Sequence, residues 1–237
     1  MTNIRWMLAL VLGLLSGCVS MNPMALDKKS TSLDLGSKSV VLMTFDVSRD
    51  DSRYVPLPIF INVKNLGAPR TTDPLHFRVN RKDDVLVASE GDDLYAIRMA
   101  LEPGRYRLLS VGGSAAAFPF VGSFLVPLFM DFIVPAHAVT YVGQVKARLR
   151  PRQEGEFRAG PMIPLIDQAA TGMSSGTFDV VVSDSSAEDI PHFRAMFPAL
   201  GDTPVADVPL PAFDRPRVQR IRDASSALAP DEASDTP

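Results

Sequence analysis

Between Ser39 and Asp184 the chain is a succession of short apolar runs punctuated by turn residues. PIFINVKNL, Pro58–Leu66, sets the pattern: Ile59, Ile61 and Val63 alternate with Phe60, Asn62 and Lys64. A period of two belongs to a strand whose two faces meet different surroundings. SVVLMTFDVS (Ser39–Ser48) is β-branched and almost continuously apolar, and LHFRVN (Leu75–Asn80) follows across the turn signal GAPRTTDP. DDVLVAS comes next. LYAIRMALEPGRYRLLSVGG then reads as two strands joined at Pro103-Gly104, with Tyr106 and Leu108 alternating against Arg105 and Arg107. DFIVPAHAVTYVGQVKARLRP reads as strand, Pro-Ala turn, strand, with Tyr141, Gly143 and Val145 alternating against Val142 and Gln144. GTFDVVVSD (Gly176–Asp184) adds a further strand. About eight strands spaced by turns predict a mainly β fold, an antiparallel β-sandwich over residues 39–184.

After Asp184 the period lengthens. In SSAEDIPHFRAMFPAL, Phe193, Met196, Phe197 and Leu200 recur at helical spacing. Ser186 or Asp189 is the expected N-cap, which places Pro191 in the first turn, where its missing N–H costs little. One short helix over residues 185–200, packed on the domain, is the expectation. Residues 201–237 read as a proline-rich, partly disordered tail; within it RPRVQRIRDASSAL suggests a short basic helix and APDEASDTP suggests disorder.

The first residues follow neither period. MTNIRWMLALVLGLLSGC has one positive charge, Arg5, an apolar run from Trp6 to Leu15, then Ser16 and Gly17. This is the form of a signal peptide over residues 1–17, and the run is too short for a membrane-crossing helix, which needs about 20 apolar residues. Leu15-Ser16-Gly17-Cys18 resembles the lipobox of bacterial lipoproteins. The resemblance implies cleavage between Gly17 and Cys18, a diacylglyceryl group on the Cys18 sulfur, and N-acylation of the new terminus. Lipoproteins retained in the inner membrane carry an aspartate after the cysteine; Val19 stands there, which implies an outer-membrane anchor facing the periplasm. An ordinary signal peptide or a small buried cysteine is the alternative. Residues 18–38, polar and rich in serine and lysine, read as a flexible tether.

LEPGRYRLL and VPAHAVTYVGQV resemble turn–strand units of immunoglobulin-like and transthyretin-like sandwiches, including bacterial lipoproteins. That resemblance implies which kind of sandwich to expect.

Composition narrows the function further. Removing residues 1–17 leaves 237 − 17 = 220 residues, and losing Arg5 moves the formal charge from −3 to −4. Mild acidity argues against nucleic acid as a partner. The chain has one cysteine, so no disulfide forms within it, and the core must hold the fold. Twenty prolines and fifteen glycines favour turns over long helices.

The candidate chemistry is thin. AAAFPFVGSFLVPLFMDFIV, Ala115 to Val134, is the longest apolar stretch, and Pro119, Gly122, Pro127 and Asp131 argue against a helix through a bilayer. Phe118, Phe120, Phe124 and Leu128 are then either an exposed patch for a partner or ordinary core. GMSSG (Gly172–Gly176) has the G-x-S-x-G spacing of a nucleophile elbow around Ser174, but a loop precedes it and a strand follows, the reverse of that motif. His76, His137 and His192 lack ligand spacing for a metal. The doublets Asp50-Asp51, Asp83-Asp84 and Asp92-Asp93 lack the ladder of a calcium loop and read as solvated turns. RPRQEGEFRAGPMIPLIDQAATG (Arg150–Gly172) mixes Arg150, Arg152 and Arg158 with glutamates. It is either a binding surface or a crossover whose charges pair with one another.

The expectation is a lipid-anchored, non-catalytic binding or assembly module of the cell envelope, without cofactor or metal. Its partners would be membrane lipid through Cys18 and an envelope protein. The alternatives are a serine hydrolase using Ser174 with His137 or His192, and an oligomer subunit touching the membrane through residues 115–134.

Overall fold

A computed structural model describes residues 20–49, 55–89, 93–117, 120–161 and 173–227; Gly17, Cys18, Phe118 and the final ten residues lie outside them. In chain order the strands are β1 (Met21–Asn22), β2 (Ser39–Arg49), β3 (Pro56–Asn65), β4 (Leu75–Arg78), β5 (Val85–Val87), β6 (Leu94–Leu101), β7 (Gly104–Ala117), β8 (Phe120–Val134), β9 (Val139–Pro151), β10 (Gly176–Ser183) and β11 (Val205–Asp207). The helices are α1 (Arg81–Asp84), α2 (Ser186–Met196) and α3 (Arg215–Ala227), with a 3-10 turn at Pro198–Leu200.

The fold is mainly β, in two sheets ordered β1-β4-β3-β7-β8 and β10-β9-β2-β6-β5, with β11 beside β9. The sheets are mixed rather than antiparallel throughout: β2 runs parallel to β9, and β1 parallel to β4. Val41, Met43, Phe45 and Val47 of β2 meet Ile61, Val63, Val111, Val126 and Leu128 of the other sheet in one core. Phe124 and Phe178 close it edge to face, 5.7 Å apart.

The opposite side of β2 is buried too. Val40 and Leu42 join Ala96, Val139 and Tyr141 under Phe193, Phe197 and Leu200. That second burial is why SVVLMTFDV reads as a continuous apolar run instead of an alternation. A third layer, made of α2, the 3-10 turn and the chain before β2, thus lies over this sheet.

On β9 the expected alternation of Tyr141, Gly143 and Val145 on one face is broken. Leu42 pairs with Tyr141 but Thr44 pairs with Gln144, so Val142 and Gly143 oppose Met43 alone. This β-bulge inverts the side-chain order. Tyr141 faces α2, whereas Val145, Ala147 and Leu149 face the inter-sheet core. Gly143 has φ of +101°, in the left-handed half of the map. The bulge also divides the outer edge of β9: β10 covers Gln144–Pro151 and β11 covers Val139–Tyr141.

Three segments depart from expectation for one reason each. The expected free tether lies on the body: Met21 and Asn22 pair with His76 and Phe77, and Leu26, Leu33 and Leu35 pack on the second core. The expected tail supplies β11, which takes the stretch of β9 that β10 leaves unpaired, and α3, which buries Val218. The N-cap of α2 is Ser185, one residue before Ser186 and four before Asp189, the two expected caps, so Pro191 stands in the second turn. That start turns Asp189 inward, to a buried site described below.

Gly143→Ala should lose about 1–3 kcal/mol of stability, because it forces an L side chain into positive φ and brings its Cβ within 2.9 Å of the Ser183 carbonyl oxygen. Gly155 also has positive φ but open space around it, so Gly155→Ala isolates the backbone component. Urea midpoints should fall further for Gly143→Ala than for Gly155→Ala; equal losses would mean that the carbonyl contact costs nothing.

Candidate functional site

The strand LYAIRMAL carries one charge, Arg98, and the residue is 3% exposed. It points to the helix side of its sheet, where a guanidinium is tolerated only if its donors are satisfied. Nε donates to the carbonyls of Ala25 and Leu26 at 2.8 and 3.2 Å, Nη1 to Ala96 at 2.7 Å, and Nη2 to Asp84 Oδ1 at 2.8 Å. The guanidinium carbon stands 4.1 Å over the Phe197 ring. The main chain of Arg98 holds the same segment, its N–H donating to Met24 Sδ and its carbonyl accepting from Ala25 N. Burial pulls the Arg98 guanidinium below the ordinary arginine value, and Asp84 opposes that pull.

Asp84 closes α1. Its Oδ2 accepts from Asn80 N at 2.7 Å, and the Asn80 side chain caps the helix at Lys82 N. Asp93 is buried likewise and receives Arg81 Nε at 2.6 Å. Asp84 and Asp93 are therefore buried charge partners, not solvated turn residues. The signal for this in the sequence was the single arginine in an apolar run.

Beside Arg98 opens a cleft of about 550 Å³, walled by Met24, Leu26 and Phe197 and by Lys28, Arg78 and Asp83. It has both signs of charge on an apolar floor. Its chemistry is that of a polar recognition site, with no nucleophile beside a base.

A second charge cluster gathers the three arginines singled out in the long segment after β9. Arg150 grips Glu156 with two bonds of 2.7 and 2.6 Å and reaches Asp179 Oδ2 at 2.8 Å. Arg215 of α3 bonds Asp179 Oδ1 at 2.7 Å and the Phe178 carbonyl, and lies over Phe157. Arg152 donates to the Glu156 carbonyl and Arg158 to that of Ser174. Together they tie the loop to β10 and α3. Two parallel Arg–carboxylate bonds hold the Glu156 carboxyl down to about 2. A smaller cleft of about 320 Å³ adjoins them, between Arg158, Gly160 and Gln219.

A third polar cluster gathers two hydroxyls around one carboxylate. Thr44 Oγ1 and Tyr141 OH both donate to Asp189 Oδ2, fastening α2 to the sheet. All three residues are buried. Burial and the Asp189 carboxylate push the Tyr141 hydroxyl well above its ordinary value.

The remaining sequence candidates fall elsewhere. Phe124 and Leu128 are 3% and 1% exposed, in the core between the sheets; they reach no surface. Residues 120–134 form an edge strand, where Pro127 costs no ladder bond, and Leu125 N donates to Ala159. The exposed large apolar side chains among its described residues are Val121 and Ile133. For Phe120 only its place in β8 is described, and Phe118 and Cys18 lie outside the described residues. Ser174 precedes β10 beside the end of β9, while His137 precedes its start, roughly 40 Å along the strand at about 3.3 Å per residue. His192 is on α2, whose Phe193 packs on Tyr141 near that same start. His76 Nδ1 is bonded to Asn62 at 2.5 Å. The geometry gives Ser174 no imidazole. Among the described residues no three His, Cys, Asp or Glu side chains gather where a metal would sit, and no helix is long and apolar enough to cross a membrane.

Comparison with protein-family models, curated proteins and solved structures finds no match for this chain.

Arg98→Met should cost about 3–5 kcal/mol, because it leaves the Asp84 carboxylate buried without its partner. Arg98→Met with Asp84→Asn should recover part of that loss in thermal or urea unfolding; no recovery would mean that Arg98 matters through the main-chain carbonyls alone. At Glu156 the folded group is more acidic than the unfolded one. Its stabilisation is therefore complete above the ordinary glutamate range and lost as pH falls toward about 2. Urea titrations stepping down from pH 5 should give a shallower decline for Glu156→Gln than for the parent chain.

Proposed function

We propose that this chain is a bacterial lipoprotein, anchored through Cys18 in the outer membrane and facing the periplasm, whose body is a non-catalytic binding or assembly module of the cell envelope. The observation that carries the reading is Leu15-Ser16-Gly17-Cys18 at the end of a signal-shaped segment, with the first strand starting three residues later at Met21. The body is a β-sandwich of immunoglobulin-like or transthyretin-like kind, supported by two sheets that share one core and by the units LEPGRYRLL and VPAHAVTYVGQV. Two acyl chains hold a protein at a bilayer where one binds only reversibly.

A binding role is favoured over catalysis because the clustered charged groups are engaged with one another. Arg98 is occupied by main-chain carbonyls and Asp84, and Arg150 by Glu156 and Asp179. What remains open is the mixed-charge cleft beside Arg98, suited to a polar peptide segment of a partner. A fold commonly used to present surfaces to partners supports this by analogy.

Cys18→Ser should abolish labelling by a fatty-acid analogue and either release the protein from membranes or leave its precursor uncleaved. Unchanged labelling would refute the lipid anchor. Crosslinking in intact cells should recover a reproducible envelope protein, and its yield should fall with Lys28→Glu and Arg78→Glu at the cleft rim. Recovery of the chain alone would refute the binding role.

A further inference from the structure

The lipid anchor and the body are closer together than a polar tether suggests, and this fixes which part of the body meets the bilayer. The inference rests on Cys18 being the anchored residue. The first described residue, Ser20, leads directly into β1, which is paired to β4 at Met21–His76 and Asn22–Phe77. The side chain of Asn22 adds a bond to the His76 carbonyl. Ala25 is then fixed to Arg98. Only Val19 separates Cys18 from Ser20, and two residues of chain span at most about 7 Å. Whatever path they take, the anchored sulfur stays beside the start of β1.

The sheet register puts Met21 level with His76, Asn62, Ser110 and Pro127, and because β1 runs antiparallel to β3 its start points toward the end of that strand. Leu75, the residue before the partner of Met21, pairs with Val63; Val63 pairs with Leu108; beyond it Asn65 meets Tyr106, and Arg105 meets Ile133. The end of β3, the start of β7 and the end of β8 therefore form the end of the sheet toward which the start of β1 points, with Ile133 roughly 16 Å beyond the Met21 level. At about 4.8 Å between strands the three strands that reach this end span roughly 10 Å. The turn at residues 135–138 belongs to it and holds the start of β2, through Ser39 Oγ to the Pro135 carbonyl.

The chemistry of this end suits a lipid surface. Ile133 is 59% exposed, and Pro135 and Ala136 are exposed beside it. Around them stand Lys38, Lys64, Arg70 and Arg105 against Asp34, Asp73 and Glu102, a sum of 4 − 3 = +1 on a processed chain of −4. The Lys64 ammonium bonds the Arg70 carbonyl, so this loop is held with its charges together. An exposed aliphatic tip among side chains of both signs, with a small cationic excess, suits an anionic headgroup layer.

We propose that the body stands on the bilayer with this end down. The tip made by Ile133, Pro135 and Ala136 enters the headgroup layer, and the opposite end, with Val121 and the Arg150–Glu156 cluster, projects into the periplasm. The protein is thus an oriented post, not a body on a leash. Its cleft beside Arg98 is held at one height above the membrane.

Tryptophan fluorescence tests this, because the chain has one tryptophan, Trp6. In a Trp6→Phe background, Ile133→Trp, Val121→Trp and Val181→Trp each give a single reporter at a position about 60% exposed in the parent chain. The proteins are purified from membranes, their Cys18 lipidation is read by intact mass, and they are placed in vesicles of phosphatidylethanolamine and phosphatidylglycerol containing a brominated phospholipid. If the mass shows no lipid, the anchor reading fails separately. The Cys18 thiol, the single cysteine, is then coupled to a maleimide lipid, and the orientation is measured all the same. The expected result is strong quenching and a blue shift at residue 133, with emission at 121 and 181 unchanged. Quenching at 121 or 181 instead, equal quenching at all three, or none at any, would overturn the proposal.

Discussion

Arg98 is a guanidinium set into a sheet that is covered on both sides, and the outer layer is arranged around its needs. A charge in that place is costly unless each donor finds an acceptor. No single neighbouring strand offers enough of them. The residue is satisfied by Asp84 from α1, by carbonyls of Ala25 and Leu26 from the chain before β2, and by the Phe197 ring from the end of α2. Three segments distant in sequence are thereby brought to one point. The cleft beside it is a by-product of that convergence: the N-terminal segment and α1 meet at Arg98 but part above it.

A parallel logic governs the other end of the same layer. Asp189 is drawn under α2 by Thr44 and Tyr141, so a carboxylate and two hydroxyls set where the helix sits on β2 and β9. The bulge at Gly143 makes that contact available. Were β9 regular at this point, Tyr141 would share a face with Val145 and point between the sheets. One glycine thus decides which of two cores receives the tyrosine.

Much of the β framework could be read from the residues. Alternation in PIFINVKNL and the turn at Pro103-Gly104 gave strands where β3, β6 and β7 lie. The spacing of Phe193, Phe197 and Leu200 gave the helix that covers the sheet. What escaped the reading depends on contacts between remote residues. Nothing local in VSMNPMALDKKS says that its carbonyls will serve Arg98, more than seventy positions later. Nothing local in DTPVADVP says that β10 will stop at the bulge and leave β9 three residues for β11. The arginines after β9 were recognised as a cluster, but their pairing with Arg215 and Asp179 required α3 and β10 to be in place. Phe124 and Leu128 illustrate the converse: a long apolar run does not reveal which of its faces the second sheet will cover.

The parallel ladder between β2 and β9 has a kinetic side. Residue 40 finds residue 139 as its neighbour, with every strand of the other sheet except β1 lying between them in the chain. The central strand of the inner sheet stays half-paired until the ninth strand is available, so loop closure across about a hundred residues precedes much of the reward from burial. A chain built this way folds late. Emerging from its N-terminus, it must expose roughly three fifths of its length before the β2–β9 ladder can close.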